Sequence, residues 1–182
     1  MPIERFADWV LPRTFWYGHE ASSRSAAISR RLFHPPFCER ASYCMPPDPV
    51  RAVDARAWLA EAAQDLRRVD LLLAAEPPDP EGGLFHSQPA AEKALKGFLT
   101  WQDVPFRRVH ELDELGEQCA GIDSSLAELM NRADALTKYA WRFRYPGAPY
   151  EPTLDEGRTA FNLAHEVMEA ILGRLPLEVR PR

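Results

Sequence analysis

Arg158 and His165 are of residue types that can do chemistry and stand seven positions apart. Seven positions along an α-helix bring two side chains to within about 20° of azimuth and about 10 Å of rise. Histidine titrates near neutrality and can move a proton, while arginine keeps a fixed positive charge. Together they suit chemistry at a phosphorus centre, where one handles the proton and the other the developing negative charge. A second set is cationic and aromatic: Lys93, Lys96, His110, Lys138, Tyr139, Arg142 and Arg144. These residue types suit recognition, with the cations holding phosphate and the tyrosine ring stacking on a planar base.

Each member also has a structural reading. Lys93 and Lys96 are i,i+3 neighbours beside Glu92, so they form either a solvated helix face or a cationic lining. His110 either braces the short helix that follows it or transfers a proton. Arg144 either bonds helix-end carbonyls or a carboxylate, or holds a phosphate with Lys138, Tyr139 and Arg142. Arg158 and His165 lie at the margin of the Phe161/Met168/Leu172 stripe, where a rim histidine beside a surface arginine is the structural alternative. Arg107 and Arg108 add charge just ahead of His110.

The chain around these residues is acidic, with a formal charge of -5 over 182 residues. The global field therefore repels polyanions, and a nucleic-acid role needs a local basic patch. Cys38, Cys44 and Cys119 are an odd number without a CxxC pair, which argues against a disulfide framework and a zinc site. No Gly-rich phosphate loop, nucleophile elbow or paired-carboxylate metal helix is present, so no metal or cofactor is expected. No apolar run approaches the roughly 18 residues of a membrane span, and a cytoplasmic protein with reduced thiols is expected.

The elements that must position these residues are helical. Residues 1–50 read as an irregular or disordered arm, with Met45 as an alternative start and a targeting sequence as a third reading. A bundle over 51–176 and a tail over 177–182 follow. Pro46-Pro47-Asp48-Pro49 is a stiff lead-in, and Asp54 is the predicted N-cap of a helix from Ala55 to about Ala75. Its stripe is Trp58, Ala62, Leu66, Val69 and Leu73. Pro77-Pro78-Asp79-Pro80 with Gly82-Gly83 marks a turn. A second helix runs from Leu84 to Trp101, and Pro89 requires either a start near Gln88 or a kink. A short third helix covers Leu112 to Cys119, and a fourth covers Ser124 to about Phe143, capped by Ser124 or Ser125. The last runs from Leu154 to Leu175 behind Thr153, with Glu156 completing a capping box. Trp58, Trp101 and Trp141 are assigned to the core or a dimer interface. Without strand signals, the architecture predicted is an all-α antiparallel bundle of four to five helices.

Two stretches carry a family resemblance. One is Phe85-His86-Ser87-Gln88-Pro89-Ala90-Ala91-Glu92-Lys93-Ala94-Leu95-Lys96, followed by His110-Glu111-Leu112-Asp113-Glu114-Leu115. The other is Tyr139 with Arg144-Tyr145-Pro146 before the closing helix. In order and spacing they resemble the HEPN domain family, across Ala55 to Leu175, with Pro89 standing where the family usually has a glutamine. The resemblance implies a helical bundle that commonly forms a homodimer, often encoded beside a minimal nucleotidyltransferase as toxin and antitoxin. It also implies binding of RNA or a nucleotide, or ribonuclease activity without metal.

Catalytic members of that family carry an Arg and a His separated by four to six residues, which Arg158 and His165 satisfy. With 19 arginines and five histidines, chance alone supplies about the number of such pairs this chain holds, the second being Arg13 and His19. Three functions are therefore carried forward. The leading one is a module that binds RNA or nucleotide, a nucleotidyltransferase partner, or both. The alternatives are a metal-independent endoribonuclease toxin using Arg158 and His165, and a purely structural partner subunit.

Overall fold

The computed structural model describes residues 48–107, 110–142 and 150–181. The N-terminal arm, Arg13 and His19, Arg108, and Arg144 with its Tyr145-Pro146 neighbours lie outside the described residues, as does the side chain of Trp141. Within them the chain is all-α: α1 Pro49–Leu73, α2 Pro80–Trp101, α3 Leu112–Ile122, α4 Ala127–Ala133, the one-turn α5 Tyr139–Arg142 and α6 Leu154–Leu172, with no strand.

Both long N-terminal helices begin earlier than the periodicity indicates, for the same reason. Asp48 accepts a hydrogen bond from the Val50 N–H at 2.9 Å, and Pro49 opens α1. Asp79 accepts from Gly82 N–H at 2.9 Å, and Pro80 opens α2. Proline at a first helical position has its φ already set and loses no hydrogen bond. Pro49, expected in a lead-in, and Pro80, expected in a turn, thus each open a helix. Asp54 is an exposed mid-helix residue, and Gly82-Gly83 belong to the first turn of α2. Gly83 is small because a Cβ there would stand 2.7 Å from Leu73 Cδ2.

Pro89 neither starts nor interrupts α2, which is continuous from Pro80 to Trp101. One turn earlier, the Ser87 hydroxyl donates to the Gly83 carbonyl at 2.8 Å. The single helix expected over 124–143 is broken instead. Asp123, not Ser124 or Ser125, caps a 3-10 turn at Ser124–Leu126 by accepting from Ser125 N–H at 3.0 Å. A second 3-10 turn at Asp134–Leu136 separates α4 from α5, with the Thr137 hydroxyl donating to the Asp134 carboxylate at 3.1 Å. Short polar side chains that bond locally compete with the helical ladder, which explains both breaks. The capping box of Thr153 and Glu156 forms as expected, but α6 ends at Leu172 before Gly173.

α1 and α2 are antiparallel. Leu73 and Pro80 meet at one end, and Gly97 packs at the other, where a Cβ would fall 2.9 Å from Leu59 Cγ. α6 runs in the sense of α2: Gly157 packs against Leu73 and Pro80, and Arg56 near the start of α1 donates to the Glu178 carbonyl beyond α6. α3 also follows the sense of α2, since Gln88 reaches the His110 carbonyl and Cys119 lies against Leu95. α4 and α5 return antiparallel to α6 and are joined to it by the Arg132–Glu166 pair. The core so enclosed includes Leu59, Leu84, Leu95, Phe98, Leu115, Leu126, Met130, Val167 and Ile171. Leu59, absent from the predicted α1 stripe, is fully buried, while Trp58 and Leu73 are half-buried. Leu177–Val179, assigned to a tail, form a 3-10 turn whose Val179 is buried in the core.

Candidate functional site

α2 carries polar residues on two sides of its apolar face. Gln88, Glu92 and Lys96 recur every four residues and so form one row. The Lys96 ammonium donates to Glu92 at 2.6 Å, and the Gln88 amide donates to Glu92 at 3.0 Å and to the His110 carbonyl at 2.9 Å. His110 Nδ1 lies 3.2 Å from the same carboxylate. Lys96 is 5% exposed, with its ammonium 5.6 Å from the Trp58 ring and 5.8 Å from the Phe106 ring. The solvated-face reading of Lys96 is therefore overturned. Buried charges persist when paired and hydrogen-bonded, and here the pair also anchors the segment leading into α3. His110 sits where the bracing reading places it, ahead of α3 and against Glu92.

Lys93 points to the other side. Its ammonium meets Asp65 of α1 at 2.6 Å and Glu61 at 3.6 Å. Asp65 is buried within the apolar stripe of α1, and also accepts from Arg68 at 2.6 Å and faces His86 Nδ1 at 3.1 Å. Burial alone raises the Asp65 pKa. The hydrogen bonds from Lys93 and Arg68 outweigh it, so the carboxyl is held below its ordinary value of 3.8. Lys93 and Lys96 thus do not share one cationic lining.

Lys138 and Arg142 are placed differently. Both are exposed, and neither forms an ion pair with a described residue. The Lys138 ammonium lies 4.9 Å from the Tyr139 ring centroid, and the Arg142 guanidinium lies 4.0 Å from that of Tyr150. Tyr139 itself is buried, so its ring forms part of the wall rather than an open stacking surface. The Tyr150 hydroxyl donates to Glu156, which also serves the α6 capping box. That bond raises the Tyr150 pKa, and with the Thr153 bonds it lowers the Glu156 pKa. Beside these residues a cavity of about 310 Å³ opens between the Ala135–Tyr139 segment and α6. Leu136, Ala160 and Leu163 are apolar lining residues, and Lys138, Asp155, Glu156 and Thr159 are polar ones.

Arg158 and His165 are both exposed on α6 and do not line this cavity. Arg158 stands 3.7 Å from Asp155, and His165 lies edge-on to Phe161 with centroids 6.1 Å apart. No described carboxylate orients the His165 ring. Arg107 pairs weakly with Glu114 at 3.4 Å.

The residue lists drawn from sequence miss Asp65, Arg68, His86, Gln88, Glu92 and Tyr150. Asp65 leaves a signal, as a carboxylate at helical spacing from Ala62, Leu66 and Val69. Gln88, Glu92 and Lys96 leave another, at i, i+4, i+8. Neither signal names the partner across the bundle. Among the described residues no group of three or more His, Cys, Asp or Glu is placed to hold a metal, and no helix is long and apolar enough to cross a membrane.

Searches of curated proteins and of solved structures return no match. The family model of the HEPN domain matches residues 55–175, a span that contains α2 with both its polar rows, the α4–α5 segment and all of α6. On that match over more than half of its length, the chain belongs to the HEPN domain family.

Proposed function

We propose that this protein is a cytoplasmic, homodimeric HEPN module that binds single-stranded RNA or a nucleotide at the α5 end of the bundle. In this reading it works with a nucleotidyltransferase partner in a toxin–antitoxin-like pair. The observation that carries the binding reading is the placement of Lys138 and Arg142. Lys138 is an exposed cation lining a cavity with an apolar wall, and Arg142 lies against the ring of Tyr150, whose hydroxyl donates to the lining residue Glu156. This arrangement supplies phosphate contacts from the cations and stacking from Tyr150 and the Arg142 plane. Lys93, Lys96 and His110 support the same function indirectly, by fixing α2 and the segment before α3.

The test is equilibrium binding of a fluorescein-labelled single-stranded oligoribonucleotide and of labelled ATP, read by anisotropy. Wild-type protein is expected to bind at least one of the two. The Lys138→Ala/Arg142→Ala protein, still helical by circular dichroism, is expected to bind at least about tenfold more weakly, as two charge-assisted contacts require. Equal binding by both proteins contradicts the reading. Co-purification with the partner and no binding of either ligand by the wild-type protein would instead support a structural subunit.

A further inference from the structure

The cavity beside α5 has a polar edge to which the phosphate and stacking contacts assign no task. Asp155, Glu156, Thr159 and Lys138 line it. Their existing bonds sort them. Glu156 is committed: Oε1 accepts from the Tyr150 hydroxyl, while Oε2 accepts from the Thr153 N–H at 2.8 Å and the Thr153 hydroxyl at 3.0 Å. The Thr159 hydroxyl spends its hydrogen on the Asp155 carbonyl at 2.8 Å, which leaves it only lone pairs to offer. The Asp155 carboxylate accepts no hydrogen bond from a described residue. Its side chain is 93% exposed, and the Arg158 guanidinium stands 3.7 Å away, beyond hydrogen-bond length. We propose, on the α5 binding reading, that this edge selects the base: the cavity takes guanine, and the Asp155 carboxylate accepts from its N1–H and its N2 amino group.

A carboxylate accepts two parallel hydrogen bonds, and such charge-assisted pairs are short and directional. Guanine alone among the four RNA bases sets two donors side by side, on its Watson–Crick edge. Adenine and cytosine place one amino donor beside a ring-nitrogen lone pair, which would face the second carboxylate oxygen. Uracil has a single N–H between two carbonyls. Asp155 and Thr159 are i,i+4 neighbours on α6, so the Thr159 oxygen adds a further acceptor on the same side of the helix.

Charge and size narrow the ligand class. A free guanidinium also presents two donors, but it would bring positive charge towards Lys138 and Arg142 and leave them no anion to hold. A guanine nucleotide is neutral at the base and anionic at the phosphate, which matches an acceptor edge with cations nearby. A cavity of about 310 Å³ lies at the small end of ligand pockets, so it takes the base rather than the whole nucleotide. Leu136, Ala160 and Leu163 supply the apolar wall for the ring, and the sugar and phosphate stay outside.

The test is a calorimetric titration of the full chain with the 5′-monophosphates of guanosine, inosine and adenosine. Guanine offers both donors, hypoxanthine only the N1–H, and adenine neither in that arrangement. The guanosine nucleotide is expected to bind about tenfold more tightly than the adenosine one, with inosine between them. Asp155→Asn replaces one acceptor with a donor at an exposed position and leaves the Thr153–Glu156 capping box in place. This variant is expected to lose the preference for guanosine and to bind xanthosine 5′-monophosphate more tightly than wild type does, because a carbonyl stands there in place of the N2 amino group. Equal affinity of the wild-type protein for the three nucleotides overturns the guanine assignment and leaves the α5 reading standing. A guanosine preference that persists in Asp155→Asn does the same. Absence of guanosine 5′-monophosphate binding also overturns the assignment, and the oligoribonucleotide titration then decides separately whether the α5 reading falls with it.

Discussion

A carboxylate within the apolar stripe of a helix destabilises the fold unless its charge is answered, and Asp65 is answered by Lys93, Arg68 and His86. Truncating it removes one partner from a buried network. Asp65→Ala is expected to lower stability by about 3 kcal/mol at pH 7, measured by urea denaturation. Its depressed pKa also gives a pH signature. The stabilisation is present above the ordinary carboxyl value of 3.8 and is lost as pH falls below it through the folded-state value. The stability difference between wild type and Asp65→Ala should therefore shrink on acidification below about pH 4; a pH-independent difference would mean that packing, not charge, sets the loss. Cys119 is the opposite case, a buried thiol without a charged partner, pushed up to about 12. It should resist iodoacetamide in the native protein at pH 8 and react once the chain is unfolded, because only the thiolate is reactive. At this scale the sequence made Lys93, Lys96 and His110 conspicuous by type. It could not indicate that two carboxylates, Asp65 and Glu92, had claimed them, because one of those lies 28 positions away on another helix.

Among the elements, α2 is the scaffold of the bundle: its apolar face meets α1 and α6, and its two polar rows hold Asp65 and His110. Its length was only partly legible. Pro49 reads as the end of a stiff lead-in and Pro80 as part of a turn, because proline ends helices more conspicuously than it begins them, and only the side-chain bonds of Asp48 and Asp79 show that both open one. Pro89 is the local conflict that remains. It cannot donate to the carbonyl of Phe85, and a helix with an interior proline forgoes stability for it. Pro89→Ala is expected to raise the unfolding free energy by about 1–2 kcal/mol with the helix content unchanged. Destabilisation by this change would mean that the ring packs against the bundle more favourably than the lost hydrogen bond costs. The break between α4 and α5 was illegible for a different reason. Leu126, Met130, Ala133 and Leu136 keep helical spacing, and periodicity does not register the turn in which Thr137 bonds Asp134.

Across the whole molecule the net charge is -5, against which Lys138 and Arg142 stand as exposed cations. An acidic chain that binds RNA or nucleotide does so through a local patch, so its affinity should fall with salt in proportion to the few phosphates contacted. With Lys138 and Arg142 as the contacts, the slope of log affinity against log salt for single-stranded RNA should be about -1.4, and close to zero in the double variant. A slope several-fold steeper would place the interface elsewhere. The helical bundle and its family were legible because amphipathic period and motif spacing are properties of sequence alone. The division of the cations into internal braces and surface contacts was not, since burial decides it.

On the proposed function, the protein holds RNA or nucleotide without cutting it. The most direct test is incubation of labelled single-stranded RNA with the wild-type protein in EDTA, resolved on native and denaturing gels from the same tube. Retarded RNA is expected on the first and full-length RNA on the second. Shortened RNA that returns to full length with His165→Ala would contradict it and make the exposed Arg158–His165 pair an active site.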